Sequence, residues 1–148
     1  MIKIFLLILL SLSFSVQAQT DFNKILFSIG TSSWSLRDRE AYQAVLTEVF
    51  QKKALSEYSK NPENDFLLSR LSYKEAGVFE LSPSEKIKVS EAARKKLAAF
   101  SPEEVLRETD YISKAAILVE IKESQQKDVK RFNTWFELLK RKYQVRLK

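Results

Sequence analysis

The sequence contains no cysteine and no histidine among its 148 residues. Without either residue, a Ser-His-Asp or Cys-His nucleophile system cannot form, and neither can a zinc site of the usual imidazole or thiolate type. Glycine is also scarce, with two in the chain, which excludes a glycine-rich phosphate-binding loop. We therefore predict no disulfide, no metal site and no cofactor, and any catalysis would have to use carboxylate, lysine, tyrosine or serine chemistry.

The acidic residues also give little indication of an active site. Neighbouring carboxylates occur at Glu103/Glu104, Glu63/Asp65 and Asp38/Glu40. The first two pairs follow predicted helix starts, where negative charge is favoured, and Asp38 belongs to a capping box. We therefore predict that the protein has no catalytic residues and is not an enzyme. A carboxylate-based hydrolase is the weakest of the alternatives.

The first eighteen residues are typical of a secretory signal peptide. Lys3 precedes an almost unbroken apolar run, Ile4 to Leu12, and the segment ends in Val16-Gln17-Ala18. The apolar run is shorter than the ~20 residues that a membrane-spanning helix needs. We therefore predict export to the periplasm with cleavage after Ala18, which leaves Gln19 to Lys148 as a single domain.

The three prolines mark the starts of helices, because each follows a residue that caps helices well. The pairs are Asn61-Pro62, Ser82-Pro83 and Ser101-Pro102. Proline at the first helical position loses no hydrogen bond. Capping boxes are present in SPSE (82–85), SPEE (101–104) and, without proline, SLRD (35–38). Four helix starts are predicted from these signals.

A fifth helix is predicted near the end of the chain, from about Gln125 to Lys142. Its apolar residues step by three and four positions, which is the spacing of one helix face. The preceding helix contains AAILVEI (115–121), which is apolar on more than one face and predicts a central position. The polar stretch from Lys122 to Lys130 between them is interpreted as a loop or hinge.

The two ends of the mature chain are predicted to form a small sheet. Residues 24–35 contain a β-rich run, a break at Gly30 and a second short run, which predicts a hairpin. An isolated two-stranded hairpin is only marginally stable in water. The last six residues, YQVRLK (143–148), alternate in polarity and are the candidate third strand. The predicted fold is mainly α, with about five helices, an N-terminal β-hairpin and a short C-terminal strand.

Aromatic residues are the candidates for a binding surface, since the chain has ten Phe, five Tyr and two Trp. Trp34 and Trp135 are either core residues or part of an apolar groove that binds segments of other proteins. Phe79 lies in GVFEL (77–81), an unusually apolar inter-helix segment that either fills the core or lies at an interface. We predict that Trp34, Phe79, Trp135 and Phe136 line a peptide-binding groove.

Basic residues concentrate in two segments, Lys86 to Lys96 and Lys127 to Lys148, in a chain with a formal net charge of +6. The simplest interpretation is a solvated helix face with cations favourably placed near a helix end. Nucleic-acid binding would also require a basic patch, but export argues against it. Weak attraction to an anionic membrane or to acidic protein segments fits an exported protein better.

Three segments are similar to the N-terminal chaperone domain of SurA-type periplasmic proteins. They are ILFSIGTSSWSLRDREAYQAVLTEVF (25–50), FLLSRLSYKEAGVFELSPSE (66–85) and RFNTWFELLKRKYQVRLK (131–148). The resemblance implies a peptide-binding fold of the trigger-factor and SurA type, in which the terminal helix and strand return to the N-terminal part. It also implies an outer-membrane-protein chaperone. The parvulin isomerase domains that the family often carries have no counterpart here, because the chain is too short and lacks histidine.

The leading functional hypothesis is an exported, non-enzymatic chaperone-like protein that binds exposed apolar or aromatic segments of unfolded outer-membrane or envelope proteins without ATP. One alternative is a structural or adaptor protein that binds a single folded envelope partner. Another is a protein that associates with an anionic surface through its basic C-terminal helix. Exchange of that helix between two copies would give a homodimer, since domain swapping is an easy route to dimers.

Overall fold

A computed structural model of the protein describes residues 21–77 and 83–148. The elements are β1 (Ile25–Ile29), β2 (Ser32–Ser35), α1 (Leu36–Glu48), α2 (Pro62–Ala76), α3 (Pro83–Lys96), α4 (Pro102–Gln126), α5 (Val129–Lys142) and β3 (Val145–Leu147). The prediction of a mainly helical chain with a small sheet is confirmed. The predicted signal peptide, the Ser82 cap and Phe79 lie outside the described residues.

The sheet joins the two ends of the described chain. All three strands pair antiparallel in the order β2-β1-β3, and Gly30 adopts φ +59° in the turn between β1 and β2, a conformation that glycine tolerates readily. Phe27 on β1 faces Trp34 on β2 and Leu147 on β3. The C-terminal segment therefore supplies the third strand that the hairpin was predicted to need.

Side chains of the predicted capping residues begin the helices. In α1, Ser35 and Asp38 exchange hydrogen bonds, and in α4 Ser101 and Glu104 do the same. Each exchange satisfies backbone N–H groups that have no partner within the first helical turn. Asn61 caps α2 by accepting from the Asn64 N–H at 2.8 Å. These three starts were predicted correctly.

The predicted start of the last helix near Gln125 was wrong. Helix α4 continues through Gln126, so the first half of the expected loop, from Lys122, is helical. Lys127 then adopts a left-handed conformation with φ +43°, and the Asp128 side chain caps α5 by accepting from the Lys130 N–H at 2.8 Å. Neither glycine nor proline marks this boundary, because a lysine takes the position where glycine is usual, and the sequence pattern therefore missed it.

The core lies between the sheet and the helices, with α4 at its centre. Helix α4 contacts α1, α2, α3 and α5, as its apolar middle predicted. The inner face of the sheet packs on α2, where the Phe66 ring lies 5.3 Å from Phe27 and 6.4 Å from Trp34. From α5, the buried side chains of Phe132, Phe136 and Leu139 join the same core. The opening hairpin and the closing helix thus belong to one apolar core.

An ion pair links the first turns of α1 and α4. The Arg37 guanidinium donates to both oxygens of Glu104, at 2.7 and 2.9 Å. This hydrogen bond lowers the pKa of Glu104 to about 2, and the capping contact with Ser101 acts in the same direction. The charge of Glu104 therefore serves both the helix cap and the packing of α1 against α4.

We expect the stability of the protein to fall as the pH drops from about 4.5 toward about 2, the unfolded and folded pKa values of Glu104. A carboxyl whose pKa is lower in the folded state stabilises the fold above the unfolded value, and that contribution is lost on protonation. In urea denaturation across this range, Glu104→Gln should show a shallower fall than the wild type. Glu103→Gln, the exposed neighbour in the same turn, is the control and should keep the wild-type slope. Equal slopes for all three proteins would contradict the assignment.

Candidate binding site

A cleft of about 250 Å³ lies between α2 and α5 and is closed on one side by the segment that precedes α2. We call it the aromatic cleft; its lining residues are Tyr58, Ser59, Lys60, Asn64, Leu68, Phe132, Asn133, Phe136, Glu137 and Lys140. Residues 132, 133, 136, 137 and 140 recur at helical spacing, so one face of α5 forms a whole wall. The volume of the cleft is below the ~300 Å³ of the smallest typical small-molecule pockets. A cleft of this volume can accommodate a single side chain.

Aromatic rings form the floor of the aromatic cleft. Tyr58 packs edge-to-face on Phe132 with 5.2 Å between ring centroids. Phe136 is 8 % exposed, so most of its ring is covered by the protein, and the Lys140 ammonium lies 4.5 Å from its centroid. Edge-to-face rings of this kind fix one another's orientation. The floor is therefore preformed and apolar.

The rim of the aromatic cleft offers polar groups that are free to bind. The side-chain amides of Asn64 and Asn133 make no hydrogen bond within residues 21–77 and 83–148. Each amide supplies two donors and one acceptor, which matches the hydrogen-bonding groups of a peptide backbone. An apolar floor with convergent polar groups at its edge is the usual composition of a ligand site.

The buried carboxylate of Asp65 holds the wall that contains Tyr58. It accepts hydrogen bonds from the Leu55 N–H at 2.8 Å, from the Ser59 hydroxyl at 2.5 Å and from the Tyr42 hydroxyl at 2.6 Å. Burial and the neighbouring Asp65 carboxylate raise the pKa of Tyr42 well above its ordinary value, so the phenol remains a donor. The sequence analysis explained Asp65 only by the preference for negative charge at a helix start. That explanation was incomplete, because the hydrogen-bond donors to Asp65 lie outside α2.

The three predicted groove residues that the structure describes, Trp34, Trp135 and Phe136, do not share one surface. Phe136 lines the aromatic cleft. Trp135 is next to it along the chain and contacts Phe132 at 5.2 Å, while the Lys122 ammonium lies 5.8 Å from its ring. Trp34 belongs to a separate cluster beside Arg70. Phe79 lies outside the described residues, so its predicted role in the groove remains a prediction.

The cluster around Trp34 is centred on a buried arginine that the sequence pattern did not single out. The Arg70 guanidinium pairs with Glu108, and both side chains are almost completely buried, at 1 % and 0 % exposed. It also lies 4.3–4.5 Å from the ring centroids of Trp34, Phe66 and Tyr111. Burial raises the pKa of Glu108, although Arg70 and Arg107 act to lower it. The cluster lies in the core and connects β2, α2 and α4.

Within the described ranges, no group of three or more Asp or Glu side chains is arranged to hold a metal ion. No helix in the same ranges is both long and apolar enough to cross a membrane.

No family model, curated protein or solved structure matches the chain.

Proposed function

We propose that the protein is an exported, non-enzymatic chaperone-like protein that binds exposed apolar or aromatic segments of unfolded outer-membrane or envelope proteins without ATP. The observation that supports this proposal most directly is the aromatic cleft. Its floor of aromatic rings can contact one apolar side chain of a client, and the side-chain amides at its rim can hydrogen-bond to the client's backbone. A site of this size recognises a side-chain class and not one particular molecule. That breadth is what a protein with many clients requires.

The proposed relationship to the SurA N-terminal domain rests on the order of elements. A hairpin is followed by a capped helix, and the terminal helix and strand return to the N-terminal part, where β3 pairs with β1. This is the arrangement that the sequence resemblance implies. In the described chain α5 packs against α2 and α4 of the same molecule, and exchange of this helix between two copies stays a proposal.

We expect the protein to suppress aggregation of an unfolded porin at equimolar concentration, measured by light scattering after dilution from denaturant. Asn133→Trp would place a large ring at the mouth of the aromatic cleft and should abolish most of the protection. Asn23→Trp is the matched control, because Asn23 is exposed and lines no described cleft. No protection by the wild type, or equal protection by both variants, would contradict the proposal.

A second candidate, an adaptor for one folded partner, is favoured by an exposed apolar pair on α4. Ile117 and Ile121 lie one helical turn apart and are both exposed, so their side chains occupy the same face. Affinity capture from a periplasmic extract separates the two functions. One stoichiometric folded partner supports the adaptor, and a mixture of outer-membrane proteins supports the chaperone.

A further inference from the structure

A second depression, of about 760 Å³, continues from the aromatic cleft along α5. The two share Lys60, Asn133 and Glu137 in their linings. We call this depression the cationic shelf; its positive side chains are Lys60, Lys130 and Arg141. Because the two linings overlap, a short stretch of extended peptide can contact both, at ~3.3 Å per residue.

The cationic shelf carries more positive charge than its own acids neutralise. Lys60, Lys130 and Arg141 are exposed and make no side-chain ion pair within the described ranges. Two acids are also present in the lining. Glu137 pairs with Lys140 at 2.7 Å, and Asp128 caps α5 through its hydrogen bond from the Lys130 N–H.

Counting both acids, the shelf still has a net positive charge. Asp128 offsets one of the three free cations, and Glu137 is matched by Lys140. Val129, about half exposed, adds an apolar surface to the same lining. The cationic shelf is therefore complementary to a ligand in which an anionic group lies close to an apolar group.

We propose that the aromatic cleft and the cationic shelf together select polypeptide segments in which an aromatic residue adjoins a carboxylate. The aromatic side chain occupies the cleft over Tyr58 and Phe136, and the neighbouring acidic side chain lies among the shelf cations. This inference rests on the proposed peptide-binding function and names its preferred client sequence. Acidic side chains would then improve binding at a site that otherwise recognises apolar ones.

The alternative source of anionic groups is a lipid surface. It would attract the whole basic C-terminal region, including Arg146 and Lys148, and would not need the aromatic cleft. A requirement for both an aromatic ring and a carboxylate in one short peptide therefore distinguishes the two. Vesicles that contain anionic lipid provide the comparison.

The test is calorimetric titration of the mature chain with three unlabelled peptides of equal length. One contains Phe next to Asp, one has Asn in place of the Asp, and one has Ala in place of the Phe. At low ionic strength the first should bind about threefold to tenfold more tightly than the second, as expected for one or two exposed ion pairs. The advantage should shrink at high salt, and the third peptide should show little binding.

Charge reversal on the shelf provides the matched variants. Lys130→Glu combined with Arg141→Glu should remove the preference for Asp over Asn while leaving binding of the Asn peptide nearly unchanged. Lys52→Glu, an exposed lysine that lines neither depression, should behave as the wild type. Equal affinity for the Asp and Asn peptides would overturn this inference and leave the proposed function standing.

Other outcomes separate the remaining possibilities. Failure of all three peptides to bind, together with no suppression of aggregation, would overturn the proposed function and this inference with it. Loss of vesicle binding in the doubly reversed variant, with an unchanged preference for the Asp peptide, would assign the shelf to lipid and overturn the inference. Strong binding of the Ala peptide would also overturn it, because the ring would then be unnecessary.

Discussion

Replacing Glu108 by alanine should lower the free energy of unfolding by about 3–5 kcal/mol, the usual cost of leaving one member of a buried ion pair without its partner. Arg70 would keep its charge in the core, with one hydrogen bond at 3.2 Å to the Ser69 hydroxyl remaining. The loss is a large part of the ~5–15 kcal/mol that stabilises a typical domain. Urea denaturation, monitored by far-ultraviolet circular dichroism, measures this loss of stability.

Two further variants separate the loss of a charge partner from the loss of contacts. Arg107→Ala removes the other cation near Glu108 and an ion pair with Asp38, but the Arg107 side chain is 41 % exposed, so the loss of these contacts should cost less than about 1 kcal/mol. The double variant Arg70→Met with Glu108→Leu removes both buried charges and should recover much of the stability that Glu108→Ala loses. A double variant as unstable as the single one would show that the pair is required for some other reason.

Replacing Phe132 by alanine should cost about 3–5 kcal/mol, as large-to-small changes of a buried phenylalanine do. Its ring contacts Tyr58 and Trp135 and attaches α5 to the rest of the core. The change would also remove part of the floor of the aromatic cleft. Thermal or urea unfolding measures the stability loss.

Leu138→Ala is the matched control in the same helix. Leu138 is 57 % exposed, and a surface substitution of this kind should change stability by no more than about 0.5 kcal/mol. Deletion of residues 131–148 extends the test, since it removes β3 and the buried face of α5 together. The shortened chain should aggregate in light scattering. A folded monomer would show that the terminal helix is not part of the core.

Much of the secondary structure could be predicted because its signals are local. Ser35, Asn61 and Ser101 each reach a backbone N–H three residues further on, so the sequence itself contains both partners. The last helix was placed wrongly at its start because neither glycine nor proline marks the turn at Lys127, although Asp128 is a preferred capping residue that could have indicated the start of α5. The sheet was predictable for a different reason, namely that an isolated hairpin needs a third strand.

The binding site could be predicted only in part. The helical spacing on α5 identified Phe136, which lines the cleft, but nothing in the sequence indicated that Tyr58 would face Phe132. That contact depends on the segment before α2, which Asp65 holds by accepting from the Leu55 N–H and the Ser59 hydroxyl, while Tyr42 of α1, 23 residues away, donates to the same carboxylate. The cationic shelf likewise combines Lys60 with residues of α5, and their proximity follows from helix packing.

The sequence by itself determined where most helices begin, that the chain is mainly helical, and that its two ends would share a sheet. The helix starts and the helical character depend on hydrogen bonds and apolar spacing within a few residues, whereas the shared sheet was predicted because an isolated hairpin is only marginally stable. Only the tertiary structure decided that Arg70 would pair with Glu108, 38 residues away, and that α2 and α5 would enclose a cleft. Such contacts depend on how whole helices pack against one another. Packing determines which charged side chains are buried, and therefore need an ion-pair partner, and which aromatic rings remain accessible to a ligand.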